Sequence, residues 1–192
     1  MAKRIEMWMS EIFPGESEIF NRYRKLPSRE LAIVSAAVLD IALAELLSLR
    51  LDDNKKEVDS FLGLDMDGMA PAGSFGSRIQ LSLLLGIITI NDAKCLRTIK
   101  DLRNIFAHQV NVSFISPPVV KLTEKLLSSW EKLNLDINEF MHNKNKISYK
   151  EIRDELHILP ESGEGLLLAV FAVYQAYFQR IHTKIHRVNK AF

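Results

Sequence analysis

Glycine and proline are absent from residues 28–62, 87–116, 119–159 and 166–192. Stretches of that length without a breaker suit helices, because Gly costs about 1 kcal/mol and Pro about 3 kcal/mol in a helix interior. The chain holds 8 Gly and 6 Pro, and five of them crowd between Gly63 and Gly76. That segment, 63–76 with Pro71 inside it, reads as the one substantial loop. The spacing predicts helices over 3–12, 16–25, 28 to about 50 with Ser28 as its cap, 54–62, 76–85, 91–108, 119–141, 148–157 and 164–190. Gly86-Ile87-Ile88-Thr89 turns the chain, and Val112–Ile115 reads as extended ahead of Pro117-Pro118. The expectation is an all-α, single-domain, multi-helix bundle over 1–192, with 1–27 as an N-terminal helical extension. Its centre is the helix from Leu31 to Leu49, whose middle is apolar on every side and which is therefore expected to lie buried.

Charge and cysteine content narrow the function classes. With 25 Lys and Arg against 24 Asp and Glu, the net charge is +1. A domain held to DNA by phosphate contacts alone usually carries a basic excess. One cysteine, Cys95, leaves no internal disulfide and fits a reducing compartment. The N-terminus has two basic residues with no apolar run after them, unlike a signal peptide. Asp40 and Glu45 interrupt the most apolar stretch, which suits a buried helix better than a membrane span. A cytoplasmic protein without membrane contact is expected.

A few charges sit where apolar residues belong. On a wheel at about 100° per residue, Cys95, Leu96, Ile99, Leu102 and Phe106 share one face, and Arg103 reads as lying in the middle of it. Arg78 falls on a stripe with Leu81, Leu85 and Ile88. Asp40 is the one charge in the middle of the apolar helix. A lone buried charge costs several kcal/mol, so such charges are expected to pair. Asp40 is expected to bridge Arg78, Arg103 or both. The cluster is either an internal ion pair that fixes helix register or a ligand site with one positive charge left over.

Residues 103–108 read Arg-Asn-Ile-Phe-Ala-His. Such a spacing has a logic for RNA cleavage: Arg103 binds a phosphate as a fork, His108 moves the proton, and Asn104, four residues earlier, orients the imidazole. The bland alternative makes Arg103 an ion-pair partner and His108 a helix C-terminal cation. The Arg-x4-His motif resembles that of the HEPN superfamily of helical RNases and nucleic-acid-associated domains.

A longer match runs upstream. Ala36-Ala37-Val38-Leu39-Asp40 is followed by Ala70-Pro71-Ala72-Gly73-Ser74-Phe75, then Ser77-Arg78-Ile79-Gln80-Leu81 leading to Leu85-Gly86-Ile87-Ile88. Last comes Leu102-Arg103-Asn104-Ile105-Phe106-Ala107-His108, ahead of Val112-Ser113-Phe114. In this order the motifs resemble the MltR family, the mannitol operon repressor and its relatives, over roughly 28–115. The resemblance implies an all-helical cytoplasmic protein that restrains expression of sugar-alcohol uptake genes. Members of that family lack a recognisable DNA-binding motif, so action through a protein partner is implied, and a homodimer is plausible. Ile105 departs from the acidic residue that often follows Arg-Asn in relatives.

Direct DNA reading is not expected. A recognition helix would present its N-terminal residues to DNA, and here those are Asn91 and Asp92 after an apolar turn. Basic character gathers instead near the C-terminus, where Arg180, Lys184 and Arg187 follow helical spacing with Lys190 beyond, a face for an acidic partner or RNA. His182 and His186 sit at i, i+4 but lack an evident third ligand, so no metal and no cofactor are expected. The aromatics Tyr174, Tyr177 and Phe178 read as core packing or a self-pairing face. Two functions follow. The first is a regulator without enzymatic activity, with Asp40, Arg78, Arg103 and His108 as its polar centre. The second is an RNase or RNA-binding domain using Arg103, Asn104 and His108.

Overall fold

The computed structural model describes residues 23, 25–51, 54–65, 69–140 and 163–189, without side-chain detail for 130–140, 172, 176, 179, 180 and 186–189. Over these residues the protein is all-helical. In chain order the helices are α1 (Ser28–Ser48), α2 (Lys55–Leu62), α3 (Phe75–Leu84), α4 (Ile90–His108), α5 (Pro117–Phe140) and α6 (Gly163–Asn189). The expected helices at 3–12 and 148–157 lie outside the described residues, as does most of 16–25.

Helix α1 is the centre of the bundle, packed against α2, α3, α4 and α6. By length and apolarity alone it could also cross a membrane. Here Leu31, Leu39, Leu43, Leu46 and Leu47 are buried among the other helices. Its outward line is Ala37 and Ile41, both exposed, so the solvent side is apolar too and the wheel shows little contrast. Leu62, Ile79, Leu96, Ile99, Phe106, Phe171 and Tyr174 complete the core.

Local sequence sets the helix ends. Ser74 accepts from the Ser77 amide at 3.1 Å while Ser77 accepts from the Ser74 amide at 3.1 Å, a reciprocal cap on α3. Thr89 and Asp92 do the same for α4. Such boxes satisfy two of the amides that every helix start leaves without partners. Gly63 after α2 and Gly86 after α3 have φ of 68° and 67°, the left-handed region where a Cβ is strained.

Three local expectations need correction. Ser28 does not cap α1; Pro27 is the residue before the helix, and the Ser28 hydroxyl donates to Glu164 in the first turn of α6. Val112–Ile115 is not extended throughout, because Phe114 and Ile115 lie in a turn. Ser116 donates from its amide to the Ser113 carbonyl and from its hydroxyl receives the Ser113 amide, so two serines close a turn. Helix α5 then starts on Pro117, because a first-turn proline lacks only an N–H that would have been unpaired. On α3, the buried line is Phe75, Arg78, Ile79 and Ser82, while Leu85 is exposed beyond the helix end.

Candidate functional site

The polar residues singled out by the sequence fall into two places. The first is closed. Arg78 reaches inward from α3 with 6% of its surface exposed. Its Nη1 donates to Asp40 Oδ1 at 2.6 Å, its Nη2 to the Leu62 carbonyl at 2.6 Å, and its Nε to the Ala72 carbonyl at 3.0 Å. Leu62 is the last residue of α2, whose final carbonyls have no partner within the helix. A guanidinium there satisfies one of them and meets the negative end of the helix dipole. Ala72 belongs to the Gly/Pro loop, and its own amide donates to the Phe61 carbonyl at 2.9 Å. One arginine thus ties α1, the end of α2 and the loop to α3. Burial pushes the Asp40 carboxyl above its ordinary range, and the charges of Arg78 and Arg103 offset part of that rise.

The second place is open. Arg103 is exposed, contrary to the expectation of a buried, Asp40-bound side chain. Its angular position does not explain this, because Leu96, about 20° away on the wheel, is fully buried; the long side chain carries its charge out to water from a position the wheel assigns to the apolar face. Its Nη1 donates to Asn104 Oδ1 at 3.1 Å. Arg103 acts on Asp40 only through its field, and Asn104 turns towards Arg103 and not towards His108. His108 is the last residue of α4 and is exposed. The structure therefore brings Asp40 to Arg78 and leaves Arg103 and His108 exposed with Asn104 half-buried in the last turns of α4, where five residues set Arg103 and His108 about 140° apart on the wheel.

Arg29 holds that end in place. Its Nη2 donates to the Gln109 carbonyl at 2.6 Å and the Val110 carbonyl at 2.7 Å. The side chain comes from the first turn of α1, so the backbone just past His108 is fixed to the central helix. The sequence reading missed Arg29, since nothing in a single chain links positions so far apart.

A buried polar network at the other end of α4 was also missed. Asp92 is buried; its Oδ2 accepts from the Thr89 amide and hydroxyl, both at 2.7 Å. The Tyr174 hydroxyl donates to Oδ1 at 3.2 Å and the Tyr177 hydroxyl to Oδ2 at 3.3 Å. Burial pushes the neighbouring Cys95 thiol up to about 12, with a hydrogen bond from Tyr174 opposing the shift. A thiol in that state is an inert core group. The Thr-x-x-Asp pattern was the available signal, read as an acid at a helix start without its inward role. Among the described residues no group of three or more His, Cys, Asp or Glu could hold a metal. The side chains of Arg180, His186 and Arg187, and all of Lys190, lie outside the described residues, while Lys184 is exposed.

No family model, no curated protein and no solved structure matches the chain.

Proposed function

We propose that this chain is a cytoplasmic helical regulator of the MltR type, acting as a homodimer through a protein partner without reading DNA directly and without an enzymatic step. The observation that carries this reading is the division of its charges. Asp40 and Arg78 are consumed in holding helices together. The remaining polar residues of the motif stand on an open surface, suited to contact with a macromolecule. The order of the separated motifs over 28–115 supports the MltR type and its sugar-alcohol genes. Deleting the gene should raise transcripts for sugar-alcohol uptake, and reintroducing it should lower them. Unchanged transcripts in the deletion strain would remove the reading.

A second reading is favoured by one observation: Arg103 and His108 are both exposed, as an RNase of the HEPN type requires. There Arg103 would bind phosphate and His108 would act as general acid or base. Incubation of the protein and of His108→Ala with RNA tests it. Cleavage by the first and not the second would establish it; no cleavage by either would end it.

A further inference from the structure

A histidine that meets a phosphate works best with a cation beside it. Arg103 is badly placed to be that cation. It points about 140° away from His108 on the wheel of α4, and its Nη1 goes to Asn104. Arg29 arrives from another helix at a better place. Its Nη2 lies 2.6 Å from the Gln109 carbonyl and 2.7 Å from the Val110 carbonyl. Gln109 follows His108 directly, so backbone dimensions alone keep that nitrogen within about 9 Å of the His108 Cα. The imidazole reaches across part of that distance, and a phosphate accepting from both side chains spans the rest.

The charge of Arg29 has no anion of its own. Nη2 gives one hydrogen to each carbonyl, while Nε and Nη1 carry the other N–H donors of the guanidinium. Among the described residues these have no acceptor, and no carboxylate lies within salt-bridge distance of Arg29. Two acids border the junction. Glu164 accepts from the Ser28 hydroxyl, and Glu30 stands about 100° around α1 from Arg29. Backbone carbonyls would repel an anion here, and Arg29 covers two of them. Arg29 also stands in the first turn of α1, the positive end of that helix dipole. Arg29 is half-buried and His108 exposed, so solvent reaches both.

We infer that Arg29 and His108 form a subsite for a phosphate group where α1 begins and α4 ends, with Arg103 outside it. The inference goes beyond both functional readings, because phosphate binding requires neither repression nor cleavage. The test is an NMR titration of the full chain with inorganic phosphate at low salt, following the Arg29 Nε–H signal and the His108 imidazole signals. Both should shift along one binding curve, with a dissociation constant on the order of millimolar. Arg29→Gln should weaken binding by about tenfold or more, and Arg29→Lys, which keeps the charge, by about threefold. His108→Ala should weaken it by about threefold, and Arg103→Gln by less than about twofold. Signals that stay put, signals that follow different curves, or an equal loss in Arg103→Gln and Arg29→Gln would overturn the inference. So would equal losses in Arg29→Gln and Arg29→Lys, which would reduce Arg29 to its hold on the backbone. A short oligouridine then separates two sources of the phosphate. Binding about tenfold tighter than inorganic phosphate, with the same dependence on Arg29, would assign the subsite to RNA; equal binding would assign it to a phosphorylated small molecule. Failure to cleave RNA would end the RNase reading and leave the subsite standing.

Discussion

Arg78 and Arg103 look alike in the sequence, each a cation on a helix line rich in apolar residues, yet the fold treats them oppositely. Arg78 finds one carboxylate and two backbone carbonyls within 3.0 Å. Arg103 finds one neutral amide oxygen and solvent. Burial of a guanidinium therefore follows the acceptors waiting at its position more than the apolarity of its helix face. The end of α2 and the Gly/Pro loop supply acceptors that need a donor, and the neighbourhood of Arg103 supplies none. One position holds the fold together; the other is left to solvent.

The largest contrast should come from truncating each arginine. Arg78→Ala leaves Asp40 half-buried without its cation and strands two carbonyls, which should cost about 3–5 kcal/mol. Arg103→Ala should change stability by less than about 0.5 kcal/mol, as for an ordinary surface position. Urea unfolding of the two variants compares them directly. Equal losses would mean that the open site also bears the fold.

Arg29 offers a sharper comparison, because it touches the open region while belonging to the central helix. Its Nη2 satisfies two carbonyls just past α4. Removing a charged donor from such exposed acceptors, which water can then reach, should cost no more than about 1 kcal/mol. In Arg29→Ala, amide exchange should accelerate around residues 109–112 and stay unchanged around Arg78. Uniform acceleration would show that the two regions are not separate units.

Much of the fold was legible in the sequence. Breaker-free stretches located the helices, and Gly63, Gly86 and the prolines marked their ends. The central place of α1 followed from its apolar run, although the exposure of Ala37 and Ile41 shows that such a run need not be buried on all sides. The pairing of Asp40 with Arg78 was within reach, because a buried charge needs a partner. The partners of Arg78 on the backbone were not, since carbonyls of Leu62 and Ala72 carry no mark in a sequence. Arg103 was misplaced because a wheel assigns an angle to the Cα and says nothing of where a long side chain ends. Arg29 and Tyr174 act across the fold, and only the packing of α1 and α6 against α4 brings them to their partners.

The smallest effect tests whether the two regions sense each other. Asp40 is the link: Arg78 bonds to it, and Arg103 acts on it through space. Burial raises its carboxyl above the ordinary range, so the folded state holds this proton at a pH where the unfolded chain has released it. The contribution of Asp40 to stability is then complete at low pH and falls as pH rises through the window between the ordinary and the raised value. The carboxyl carbon shift of Asp40 should titrate with a midpoint above that of an exposed aspartate. Arg103→Gln removes a field that favours the charged form, so the midpoint should move further up, while the bond to Arg78 stays. A midpoint at or below the ordinary value would show that Arg78 outweighs burial. A midpoint unmoved by Arg103→Gln would show that solvent screens the open arginine from the closed pair, and that the two regions, though on adjoining helices, are electrically independent.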